Sequence, residues 1–137
     1  MATSGIRNEI AGGSPSQVEV EFRFQGNGTS SPTVIRGASQ HVASVTRTPS
    51  TGRYTITLAE TWAQLEGLKF EYQDTDYLTS RSRKTAVLIE HDVASAKTIT
   101  LAVEDASDGA SNALSDLTAT QWLHVFLVLR NSSQGVP

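Results

Sequence analysis

The stretch Thr120-Gln121-Trp122-Leu123-His124-Val125-Phe126-Leu127-Val128-Leu129-Arg130 decides the fold. Alternate residues of a strand fall on opposite faces, so Trp122, Phe126 and Val128 share one face and Leu123, Val125, Leu127 and Leu129 the other. A strand with one wet face alternates apolar with polar residues, and this one is apolar on both. It reads as the central strand of a β-sandwich, or as a strand covered by a second subunit. On the second reading Leu123, Val125, Leu127 and Leu129 form a candidate subunit-interface row.

Working back towards the N-terminus, period-two patterning recurs. Val18, Val20, Phe22 and Phe24 point one way and Glu19, Glu21 and Arg23 the other, which predicts a half-buried strand. Gly26-Asn27-Gly28 ends it, because these residues tolerate the positive φ of a turn. A short strand is expected over Thr33–Arg36. His41–Thr48 and Arg53–Leu58 flank Pro49-Ser50-Thr51-Gly52, the pattern of a β-hairpin with Tyr54, Ile56 and Leu58 facing inward. Ala59–Leu65 carries Trp62 and Leu65 at the spacing of a single helical turn. Leu68, Phe70 and Tyr72 alternate with Lys69, Glu71 and Gln73 as another half-buried strand. Asp74–Lys84 reads as a polar loop, and Thr85–Asp92 and Lys97–Glu104 as strands. Asp105–Leu117 is a weakly patterned crossover or exposed loop.

The expected organisation is an arm at residues 1–16, a sandwich domain at 17–131 and a tail at 132–137. The fold class is all-β, a jelly-roll-like or Greek-key sandwich with at most one short helix. Phe22, Tyr54, Ile56 and Trp122 are the expected large core side chains. In the arm, Ile6 and Ile10 are candidate apolar anchors for a partner, with Arg7 and Glu9 fixing their register.

Composition bounds the partners. The chain has 137 residues, a formal net charge of -3 and no cysteine, so neither disulfides nor thiolate metal sites hold it together. Its densest basic cluster is Arg81, Arg83 and Lys84, too small to track a phosphate backbone, so direct nucleic-acid binding is not expected. No run approaches membrane-spanning length, and no membrane partner is expected.

Motifs for chemistry are sparse. His41, His91 and His124 lack metal-ligand spacing and read as structural residues. Asp74 and Asp76 lie in a polar segment without an apolar pocket to raise one pKa, so a paired-carboxylate hydrolase is not expected. With Tyr72 and Tyr77 they compose a candidate glycan patch. Glu104, Asp105 and Asp108-Gly109 match a calcium loop only loosely. No serine sits in a G-x-S-x-G elbow. No enzyme, cofactor or metal is expected, and no catalytic residue is assigned.

Val42-Ala-Ser-Val45-Thr-Arg47 with Thr51-Gly52-Arg53-Tyr54-Thr-Ile-Thr-Leu58 resembles a hairpin of small structural proteins of tailed bacteriophages. The ending Val125-Phe-Leu-Val-Leu-Arg130-Asn131-Ser132 resembles their closing strand. The likeness spans approximately residues 37–133 in pattern, with its specific residues confined to these two segments. Head decoration, or cement, proteins belong to this group. The resemblance implies a homotrimer that binds the major capsid protein at capsomer junctions, on the outer surface of a phage head assembled in the host cytoplasm. The alternative it leaves open is a tail-tip, baseplate or fibre-head domain recognising a host surface glycan. The same motifs also suit C1q-like and tail-fibre sandwiches.

Overall fold

The computed structural model describes residues 17–37, 40–48, 50–106 and 113–131. Among them the chain forms eight strands and one helical turn: β1 (Gln17–Gln25), β2 (Ile35–Gly37), β3 (Val42–Arg47), β4 (Arg53–Leu58), β5 (Gln64–Asp74), α1 (Tyr77–Ser80), β6 (Lys84–Asp92), β7 (Thr98–Asp105) and β8 (Gln121–Arg130). They build two four-stranded antiparallel sheets in the orders β2-β1-β8-β5 and β3-β4-β7-β6. The all-β sandwich with a short helix is thus the fold. In each sheet the inner strands, β1 with β8 and β4 with β7, are distant in sequence and meet only after the chain has crossed between sheets.

Period-two patterning sets the core. Phe24, Tyr54, Ile56, Leu58, Ile99 and Leu101 are fully buried between the sheets. The β3–β4 hairpin closes with the Thr48 N–H on the Arg53 carbonyl at 2.9 Å, and Gly52 takes φ 72°, a left-handed value that glycine adopts without penalty. Leu117 comes from the connection before β8 and is also fully buried. Its N–H donates to the Tyr54 hydroxyl at 2.8 Å, which satisfies the phenol inside the core.

Four expectations need correction. Leu123, Val125, Leu127 and Leu129 are at most 1% exposed inside the sandwich, so they cannot form a subunit interface. The register is the reason: Phe24 and Phe22 of β1 pair with Leu123 and Val125, putting all four on the core side. Trp122 pairs with Gln25 and Gln73, lies on the outward face, and is only half-buried. Ala59–Leu65 is not helical. Trp62 instead enters the core with its backbone N–H on the Val93 carbonyl, and Gln64 already begins β5. The helical turn lies at Tyr77–Ser80, within the stretch read as loop, and closes at Arg81 with φ 56°.

Candidate functional site

Two places gather polar, charged and aromatic side chains. One is the outward face of the β2-β1-β8-β5 sheet, the other a polar cluster at one end of the sandwich.

On the outward face, β8 presents Trp122, His124, Phe126 and Val128, each half-buried. The rows are fixed by pairing: Glu21, Phe126 and Lys69 lie abreast, and Arg23, His124 and Glu71 lie abreast in the next row. Long charged side chains fold over the rings. The Arg23 guanidinium carbon is 4.9 Å from the Trp122 ring centre, and Lys69 Nζ is 5.4 Å from that of Phe126. Such contacts let cations shield apolar surface while remaining hydrated. His124 Nε2 meets Gln73 Oε1 at 3.0 Å. At the far end, Arg130 bonds Glu66, which the β5 bulge between Leu65 and Gly67 turns outward. Shallow depressions flank Phe126, one of them lined by both Glu21 and Lys69.

The polar cluster is built around Asp116. Its carboxylate accepts from Arg47 Nε at 2.7 Å, Arg47 Nη2 at 3.0 Å and the Gly52 N–H at 2.7 Å. Lys84 Nζ, on a buried side chain, donates to the Asp116 carbonyl at 2.6 Å and to Gln121 Oε1 at 2.7 Å. The Gln121 amide then donates to Asp74 and to Ser82, each at 3.3 Å. Burial pushes the Lys84 ammonium down, against the carboxylates of Asp105, Asp116 and Asp74. A serine–lysine nucleophile would require Lys84 Nζ at a serine hydroxyl, and both of its oxygens here are amide or peptide carbonyls. The cluster ties the hairpin turn, β6 and the start of β8 to the chain before β8.

Burial alone would raise the Asp116 carboxyl. Hydrogen bonds from Arg47 and the Gly52 N–H, with the charges of Arg47 and Lys84, hold it below the usual carboxylate range instead. Asp74 is likewise lowered, against the desolvation of its carboxyl, by the Asp76 N–H, Gln121, Thr120 and Ser80. A carboxyl depressed by folding contributes stability above its unfolded pKa, about 3.9 for Asp, and loses it as pH falls through the folded value. Urea melts should therefore show stability falling as pH drops below about 4. Asp116→Asn should be less stable at neutral pH but lose less on acidification; an unchanged acid slope contradicts this assignment.

Of the candidates from sequence, Tyr72, Asp74 and Asp76 are brought together, and the three histidines are not. Asp74 spends its carboxylate on the Asp76 N–H at 2.8 Å, Ser80 Oγ at 3.1 Å and the Tyr72 hydroxyl at 3.3 Å, so it braces the α1 turn. Tyr77 lies beneath the Arg81 guanidinium at 5.7 Å. Within the Tyr72, Asp74, Asp76 and Tyr77 group the Asp74 carboxylate is thus committed to partners in its own chain, while Asp76 is exposed. His41 packs edge-on to Trp62 and His91 is exposed on β6. Among the described residues no group of three metal-ligating side chains converges, and no helix is long and apolar enough to cross a membrane. Ile6, Arg7, Glu9, Ile10 and Asp108 lie outside the described residues.

The chain matches no family model, no curated protein and no solved structure.

Sequence reasoning missed the Lys84–Asp116–Gln121 cluster. Its one local signal is parity: Lys84 sits in step with Ala86 and Leu88, which pack on the core.

Proposed function

We propose that this chain is a non-enzymatic decoration protein of a tailed-bacteriophage head, which binds the major capsid protein at capsomer junctions and stabilises the mature shell. The observation that carries the reading is the aromatic row of Trp122 and Phe126 at the centre of an outward sheet face, flanked by charges of both signs. Mixed charge around an aromatic centre suits protein–protein contact, whereas a nucleic-acid surface needs a basic field. The resemblance of the β3–β4 hairpin and of β8 to phage structural proteins supplies the particle. A protein that fastens capsomers around three-fold junctions is used three copies at a time, as a homotrimer. Binding only the expanded lattice would stabilise that lattice by linkage.

In this reading residues 1–16 grip the shell, with Ile6 and Ile10 as anchors and Arg7 and Glu9 setting register. The full chain should co-sediment with expanded head shells and much less with unexpanded ones. A chain beginning at Gln17 should keep its circular-dichroism signal and bind expanded shells more weakly. Equal binding of both chains removes the arm's role; no binding of the full chain to either shell removes the decoration reading.

A further inference from the structure

The outward face of the β2-β1-β8-β5 sheet is self-complementary, and we infer that it pairs with the same face of a second copy across a two-fold axis running along β8. The pairing register carries the inference. In the Phe126 row, Glu21 lies on the β1 side and Lys69 on the β5 side. In the His124 row the order of signs reverses, with Arg23 on the β1 side and Glu71 on the β5 side. A two-fold axis along β8 lays β1 of one copy over β5 of the other without changing rows. Glu21 then meets the second copy's Lys69, Arg23 meets its Glu71, and Phe126 and Trp122 each fall near their own counterparts. Gln25 likewise faces Gln73, because both pair with Trp122.

In the monomer Arg23 and Lys69 lie over the Trp122 and Phe126 rings, and on pairing they swing to the second copy's carboxylates. Among the described residues none of Glu21, Arg23, Lys69 and Glu71 forms an ion pair within its own chain. Arg23 also stands directly opposite Arg36 of β2, a like-charge cross-strand pair that is unfavourable alone. The second copy's Glu71 would sit against that pair and offset it. Other axes fit less well. An axis across the strands through Phe126 sets Glu21 on Glu21 and Lys69 on Lys69. Moving it half a row pairs Glu21 with Arg23, but stacks Phe126 on His124 and leaves the Arg130 row outside the contact.

The size of the face sets the strength. With the axis along β8, β2 overhangs the contact, and the three overlapping strands at about 4.8 Å spacing with ten residues at about 3.4 Å rise cover on the order of 500 Å² per copy. Two such faces total about 1,000 Å², in the range of weak, transient interfaces, so the association is reversible and concentration-dependent. Aligned sheets cross at about 30°, which displaces the flanking strands by a distance that Lys, Arg and Glu side chains span. This contact uses the same face as the decoration reading, so if both hold, the shell is gripped by residues 1–16 and the face joins copies to one another. On a head it would link neighbouring trimers across local two-folds.

Sedimentation equilibrium from low to several hundred micromolar tests it, with circular dichroism confirming that each variant is folded. Wild-type chain should show a concentration-dependent mass increase, a doubling if the smaller species is a monomer and growth to a hexamer or beyond if it is a trimer, and the increase should weaken with added salt. Glu21→Lys places like charges at both symmetry-related contacts and should weaken this association by more than about tenfold. Combining it with Lys69→Glu should restore association, as should Arg23→Glu combined with Glu71→Arg over the Arg23→Glu variant alone. No mass increase of the wild type overturns the proposal. So does a double reversal no better than its single one, or restoration only by Glu21→Lys with Arg23→Glu. Failure to bind head shells, with association intact, counts against the decoration reading alone.

Discussion

Replacing Gly26 with alanine is expected to destabilise the sandwich by about 3 kcal/mol, the upper end of the usual cost of overpacking. A Cβ at this position would lie 2.4 Å from the Leu117 carbonyl carbon, 2.4 Å from the Thr118 carbonyl oxygen and 2.5 Å from Leu117 Cβ. Two of these atoms are backbone, so no side-chain rotation relieves the contact. The neighbouring backbone cannot drift freely either. The Gly26 N–H donates to the Gln121 carbonyl at 2.8 Å and the Gly28 N–H to the Leu117 carbonyl at 2.9 Å. Making room means withdrawing Leu117 from the core and lengthening its bond to the Tyr54 hydroxyl. Gly28→Ala is the control: nothing stands within 4 Å of its added Cβ, and the cost is that of φ +64° in a non-glycine residue, about 1–2 kcal/mol. Urea melts of the two variants measure the difference. A Gly26→Ala protein as stable as the wild type would show that the end of β1 does not press on the connection before β8.

Ile56→Ala should cost about 2–5 kcal/mol, the range for emptying a tightly packed aliphatic site. Ile56 is 0% exposed and lies between Val45 and Ile99 on the neighbouring strands. Both neighbours are held in their sheet, which limits collapse into the cavity. Arg53, on the opposite face of the same strand, gives the contrast. Its Nε is buried without a partner, so truncation removes a polar atom that makes no hydrogen bond, and Arg53→Ala should cost under about 1 kcal/mol. Comparable losses for the two variants would mean that the faces of β4 are assigned wrongly.

Much of this architecture is legible wherever one face of a strand is wet. Val20, Phe22 and Phe24 announce the inner face of β1 because Glu19, Glu21 and Arg23 mark the other. Tyr54, Ile56 and Leu58 do the same in β4, with Gly52 supplying the turn. The reading failed on β8 for the same physical reason. With both faces apolar, alternation assigns two rows but not which row is the core, and only pairing with β1 selects the leucine and valine row. Trp122, an expected core side chain, lies instead on the outer face with its ring under Arg23.

The candidate face was half legible. Its aromatic row stands in the sequence, but its charge pattern appears only once β1 and β5 are set on either side of β8. Glu21 and Lys69 are 48 positions apart in the chain, and no local pattern relates them. The polar cluster was hidden in the same way, since Lys84 finds its Gln121 acceptor 37 residues on. Trp62 satisfied the spacing of a helical turn, but core burial and pairing to Val93 outweighed that weak local preference.

The proposal that this sandwich is a structural protein of a phage head is tested most directly by cryo-electron microscopy of phage particles incubated with the chain. The expected result is density for eight-stranded sandwiches on the outer surface of the head, three around each occupied capsomer junction. Density for the chain at the tail alone, with the head surface bare, would contradict it.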